Sequence, residues 1–186
     1  MRIVRLQEPI RNPHCLPWLI SPSIKLPSVQ VIQDYIAPQL VERDTTIRIF
    51  LAGTGLPRFQ HQNIVSFGHV NNLDALLDSC DVAIVPIESG TGIRTKTLDY
   101  MSHGLPVVST EKGVEGIDVE NSKHAIVLHT VGEEFVDAVV DLAHNPTKCA
   151  FLSSNALELI ESEYSYAASE SQIDSVLECM ANVNST

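Results

Sequence analysis

The sequence predicts an α/β chain, a Rossmann-like three-layer sandwich on a mainly parallel sheet of about six strands. Three observations carry this expectation. Apolar, β-branched runs alternate along the chain with segments of helical spacing. DVAIVPI and similar runs are apolar without alternation, as expected of strands covered on both faces. Glycine-bearing loops follow the strand-like runs TTIRIFLAG and DVAIVPI, where open parallel sheets place their ligand crevices.

The elements follow in order. Residues 1–16, with Pro9 and Pro13, read as an irregular lead-in, and PWLIS at 17–21 reads as a strand. From Pro27, the spacing of Val29, Ile32, Ile36 and Leu40 predicts a helix. TTIRIFLAG (45–53) and NIVSFG (63–68) read as strands. NNLDALLDSC (71–80) reads as a short helix capped by an asparagine. DVAIVPI (81–87) is a strand, GIRTKTLDYMSHG (92–104) a helix closed by Gly104, and LPVVST (105–110) and HAIVLH (124–129) are strands. Helical segments follow over 133–144, about 147–163 and about 166–181. The chain divides into the lead-in, one domain over 17–165, and a closing helix and tail over 166–186.

Composition narrows the function. The 186 residues are 44% hydrophobic, enough for a core, and 19% charged, too few for a disordered chain. The net charge of −11 argues against a nucleic-acid binder, which needs a cationic surface. It leaves room for a small anionic ligand, which needs only a local site. No apolar run reaches the length of a membrane span, and the N-terminus has no signal-peptide pattern. Cys15, Cys80, Cys149 and Cys179 lie far apart with no C-x-x-C pair. They read as reduced thiols of a cytoplasmic protein, Cys80 in the core. The histidines lack ligand spacing, so no metal site is expected, and His124 and His129 read as structural or exposed.

The stretch SGTGIRTKTLDYMSHGLPVVST (89–110) carries the chemistry. Gly90, Thr91 and Gly92 lie between a strand and a helix. Glycines let backbone approach a ligand, and a helix N-terminus offers unpaired N–H groups to phosphate. Arg94 and Lys96 fall in the first turn, where cations oppose the helix dipole. A bound anion explains that placement. Asp99 is three residues beyond Lys96 and can share its face, where a carboxylate could accept from the vicinal hydroxyls of a ribose. Phosphate and diol together point to a nucleotide. The competing reading is a surface helix with a Lys96–Asp99 pair and a plain turn. Gly53, Thr54 and Gly55 also end a strand, but no helical pattern follows, so the full dinucleotide fingerprint is absent and the loop is expected only to border a ligand.

The order of AGTGLP, NIVSFGHVNNLDALLDSCDVAIVP, GTGIRTKTLDYMSHGLPVVST and GVEGI resembles the C-terminal half of GT-B glycosyltransferases. The nearest group is the retaining family four, or glycosyl transferases group one. One branch of it reads G-x-G-x-R-x-K-x-L-E-x-M-x-x-G-x-P-V-V. Gly90, Gly92, Arg94, Lys96, Leu98, Met101, Gly104, Pro106, Val107 and Val108 match, and Asp99 replaces the glutamate. The resemblance covers residues 17 to 181.

It implies a single GT-B half that binds a UDP- or GDP-linked sugar as substrate, with no metal and no other cofactor. Gly90, Thr91, Gly92, Ile93, Arg94 and Lys96 would hold the diphosphate, and Asp99 the ribose. Phe67, Gly68, His69 and Val70, with Gly53, Thr54 and Gly55, would border the base. The family's acidic contact to the donor sugar falls at Thr91 here, and Glu88 stands nearby as a substitute. Lys25 is the sole cation in the loop after the first strand, where many members carry an arginine and a lysine. The resemblance leaves the N-terminal acceptor half outside the chain. No catalytic group is therefore expected from this half alone. The chain is read as a truncated fragment, as one subunit of a two-chain enzyme whose partner chain or self-association supplies the rest, or as an isolated domain. The alternative is an inactive half serving as a nucleotide- or partner-binding module.

Overall fold

The computed structural model describes residues 14–20, 26–90 and 94–166, together with 168 and 170. The lead-in up to residue 13, Lys25, and most of the closing helix expected over 166–181 lie outside them. So do Thr91, Gly92 and Ile93. Of residues 14–20, 26 and 27 only the backbone is described.

Strand β1 (His14–Ile20) pairs in parallel with β2 (Ile47–Gly53), and β2 with β4 (Ile64–Gly68). Between β1 and β2 runs a helical stretch. It begins as α1 (Leu26–Val31), passes through a π turn (Ile32–Ile36) and continues as α2 (Ala37–Arg43). The sequence predicts one helix here, and the π turn has an identifiable cause. Pro38 has no N–H for a carbonyl four residues back and its ring would press on that carbonyl. The wider turn, in which the Ala37 N–H bonds to the Ile32 carbonyl, relieves both. Ile32, Ile36 and Leu40 remain on one buried face.

A short strand β3 (Phe59–His61) pairs antiparallel with β4 and forms the edge. Helix α3 (Leu73–Leu77) follows β4, and the Asn72 side chain accepts from the Ala75 N–H at 3.1 Å, closing its N-terminus. The chain then returns to the other side of β1. Strands β5 (Ala83–Val85), β6 (Val107–Thr110) and β7 (Ile126–Leu128) pair in parallel in that order. They form a three-stranded sheet beside the four-stranded sheet β3-β4-β2-β1, with β5 packed next to β1. Six of the strands form two parallel groups that meet where the winding reverses, between β1 and β5. Ligands of open α/β sheets bind at such a switch point.

Helix α4 (Thr95–Ser102) joins β5 to β6. It ends in a Schellman arrangement. The Leu105 N–H reaches the Tyr100 carbonyl at 3.1 Å and the Gly104 N–H the Met101 carbonyl at 2.9 Å, with Gly104 at φ +67°. Tyr100 and Met101 are fully buried beneath it, each contributing roughly 1.5–3 kcal/mol of apolar burial. A 3-10 turn (Glu111–Gly113) follows β6. Helices α5 (Glu133–His144) and α6 (Pro146–Leu159) complete the order, and a π turn (Ile160–Tyr164) ends α6. α5 packs on β6, β7 and α2, and α6 on α4. Every residue of β5 and β6 is buried, so these strands are covered on both faces. Cys80 is in the core, as its sequence context predicts.

Candidate functional site

The carboxyl ends of the strands carry the motif residues. Ala52 of β2 pairs with Gly68 of β4, so the Gly53–Gly55 loop and the Phe67–Val70 segment share one rim. Gly68 sits at φ +62°, and a Cβ there would lie 2.9 Å from the Leu56 carbonyl oxygen. Only glycine fits this crossing of two backbones. The Arg58 Nε donates to the Phe67 carbonyl at 3.0 Å, and the Phe67 ring meets Phe50 edge-on at 5.2 Å. Thr54 and His69 stand exposed on the rim, with Thr54 Oγ1 3.5 Å from His69 Nδ1.

Past β5, the chain runs through Pro86, Ile87 and Glu88 to Gly90, which sits at φ +126°. The Glu88 carboxylate accepts from the Thr130 hydroxyl and from the Val131 N–H at 3.0 Å. These bonds, the Thr130 one foremost, hold it below the usual carboxylate range. Glu88 therefore ties the end of β5 to the loop that enters α5.

Helix α4 starts at this rim. Lys96 lies in its first turn, half-buried, and burial lowers its pKa to about 8 against a partial pull from Asp99. Among the described residues no carboxylate stands within ion-pair distance of Lys96. The Lys96–Asp99 pair of the plain surface-helix reading is thus not formed. Asp99, one turn further on, keeps an exposed edge. Burial of its carboxyl raises its pKa, opposed by His103 and Lys96.

Arg94 takes a different course. Its side chain is 11% exposed. Nε donates to the Lys112 carbonyl at 2.7 Å, and Nη2 to the Gly90 carbonyl at 3.1 Å and to Glu115 Oε2 at 3.2 Å. Thr97, fully buried, donates to the Gly113 carbonyl at 2.7 Å. Thr110 Oγ1 bonds to the Ile87 carbonyl and accepts from the Gly113 N–H at 3.2 Å. A Cβ on Gly113 would fall 2.2 Å from Ser109 Oγ, so that glycine is obligatory for packing. Lys112 Nζ meets Glu115 at 2.6 Å, and this cation, with Arg94, keeps the Glu115 carboxylate low. The turn after β6 is thereby fastened to both ends of the β5–α4 loop.

The structure brings Gly90, Arg94, Lys96 and Asp99 together on one strand–loop–helix unit. It leaves the Gly53–Gly55 and Phe67–Val70 rim on the far side of β1 from them. Sequence reasoning assigned no role to Lys112, Gly113 or Glu115, although GVEGI was part of the resemblance. Their partners are distant in the chain, and no local spacing signals them. A cavity of about 560 Å³ opens at the strand ends between Glu88, Glu111, Lys112, Glu115, His129 and Thr130. A larger one, about 690 Å³, lies at the opposite end of β5 and β6 among Cys80, Leu105, Pro106, Leu142 and Cys149, and holds none of the predicted site residues. The size of the second does not make it the site, since the glycine loop and its cations belong to the first end. His124 is buried, its Nδ1 accepting from the Glu120 N–H at 3.0 Å, and His129 is exposed beside Glu111. Among the described residues no group of His, Cys, Asp or Glu is placed to hold a metal ion. Nor is any helix among them long and apolar enough to cross a membrane.

Known proteins share this architecture. TarM of S. aureus superposes with a TM-score of 0.72 at 16% identity, over 88% of this chain and 35% of TarM. HepE of Anabaena, solved with UDP-glucose, gives 0.70 at 18% identity, over 90% of this chain and 49% of HepE. The C-terminal domain of LpcC, a glycosyl transferase group 1 family protein of Francisella tularensis, gives 0.67 at 12% identity and is covered over 87% of its length. In sequence, an uncharacterized 44.6 kDa protein of the cps region of Klebsiella pneumoniae is 21% identical over 144 residues. The chain spans only 36% of that protein's length. Residues 25–145, well over half the chain, match the family described as glycosyl transferases group 1. The chain belongs to the group 1 glycosyltransferases.

Proposed function

We propose that this chain binds the donor of a hexosyl transfer, a nucleoside-diphosphate sugar, at the carboxyl ends of β1 and β5, and that the transfer retains configuration at the sugar. Lys96 carries the proposal. Its ammonium is half-buried at the positive end of α4, which costs stability by desolvation and by opposing the helix dipole. A diphosphate beside it offsets both costs. Asp99 stands one turn away to accept from the ribose hydroxyls, and the Gly53–Gly55 and Phe67–Val70 rim faces the base. HepE, which shares the fold, was solved with UDP-glucose, and that supports a uridine donor. Loss of a nucleoside diphosphate is the costly part of the reaction, and fixed cations at the diphosphate lower that cost. An acceptor-binding part, supplied by more of the same protein, by a partner chain or by a second copy, closes the cleft from the other side.

Calorimetry with UDP, GDP and ADP tests this. UDP is expected to bind, and Lys96→Ala to weaken it about tenfold, as a lost charge-assisted contact does. Asp99→Ala is expected to weaken UDP more than its 2′,3′-dideoxy analogue, which lacks the diol. Unchanged UDP affinity in Lys96→Ala would return that residue to the protein surface.

A further inference from the structure

Arg94 falls within the motif read as cationic, and its charge suggests a phosphate ligand. Its bonds point elsewhere. The Nε proton and both Nη2 protons are already used, on the carbonyls of Lys112 and Gly90 and on Glu115. The remaining nitrogen, Nη1, lies 3.5 Å from where a Gly90 Cβ would stand, so a side chain there would meet the guanidinium. Gly90 answers with φ +126°, which a side chain could adopt only with strain. Two backbone carbonyls from different loops, those of Gly90 and Lys112, are thus held by one planar fork.

Resting on the donor-site reading above, we propose that Arg94 is a positioning residue, a latch that joins the loop after β5 to the turn after β6, and that it sets the Gly90 bend from which the diphosphate is bound without touching the phosphates itself. Glu115 balances the charge of the latch and holds Lys112 on its other side. Thr97, bonded to the Gly113 carbonyl, fastens the same turn to the first turn of α4. Arg94 and Thr97 together fix where Lys96, between them in sequence, presents its ammonium.

A phosphate ligand and a latch respond differently to lysine. Lysine keeps the charge but cannot bridge two carbonyls and a carboxylate as a guanidinium does. The test uses the 1–186 chain, UDP and uridine in calorimetry, and amide hydrogen exchange without ligand. The latch predicts that Arg94→Lys and Arg94→Ala both lose about tenfold in UDP affinity and leave uridine binding within about twofold. It also predicts faster exchange in Arg94→Lys at residues 88–95 and 111–117 together, with Lys96→Ala unchanged there. Arg94→Lys carries the test if the alanine variant fails to fold. UDP binding at wild-type strength in Arg94→Lys would overturn the latch, as would a loss of affinity with exchange unchanged in either loop. If the wild-type chain binds no UDP, the donor-site reading falls and the latch with it. If Lys96→Ala weakens UDP while Arg94→Lys does not, only the latch falls.

Discussion

A lysine with a pKa of about 8 would make the proposed site pH-dependent in a defined direction. An unfolded lysine keeps its proton to about 10.4, so between about 8 and 10 the folded chain releases a proton that the unfolded chain holds. The free chain therefore gains stability from this group as pH rises across that window. Donor binding runs the other way, because a diphosphate favours the charged form. UDP affinity is expected to fall as pH rises through 8, with proton uptake on binding that calorimetry in buffers of different ionisation enthalpy can count. Loss of the effect in Lys96→Ala would assign it. The odd placement of Lys96 was legible in the sequence, since a cation in a first helical turn has no local justification. The role of Arg94 was not legible. It depends on three acceptors, two of them contributed by residues 112 and 115, and a linear reading weighs only neighbours.

At the scale of elements, α4 is held at both ends by glycine-dependent geometry. Its C-terminus rests on Gly104 in the left-handed region. A Cβ there would sit 3.4 Å from Leu157 Cδ1, a contact that can be accommodated, so backbone strain dominates. Gly104→Ala is expected to destabilise by about 1 kcal/mol, read from urea unfolding with an unchanged slope. Long elements with clear spacing, such as β2 and α5, were readable in the sequence. So was the closing glycine of α4. The edge strand β3 was not. It has one apolar residue in three, and its two-residue turn places Gln62 at φ +49° where a glycine or an asparagine would have announced a hairpin. The π turn at Pro38 escaped as well. The apolar spacing of Ile32, Ile36 and Leu40 is that of an unbroken helix, and the proline shifts hydrogen bonds without moving that face.

For the molecule as a whole, the proposed site is a half-surface. Gly90, Lys96 and Asp99 lie on one unit and need no second domain to be arranged. Transfer needs donor and acceptor held together away from water. A purified chain of these 186 residues is expected to bind UDP and to move no sugar from UDP-glucose to glycosyl acceptors in a radiolabel assay. Sugar transfer at ordinary enzymatic rates would show that copies of the chain rebuild a closed cleft, and sedimentation would then reveal the oligomer. The strand order has a consequence of another kind. Strand β1 lies between the two sheets' inner strands, with β2 on one side and β5 on the other. Within the strand layer, β2-β4-β3 and β5-β6-β7 meet across it. Deleting residues 1–20 would therefore not trim an edge. It would remove the strand between the two sheets and expose the edges of β2 and β5, the kind of surface that seeds aggregation. Such a truncation is expected to appear in the pellet after expression, and a soluble, UDP-binding product would show that the two halves close directly on each other.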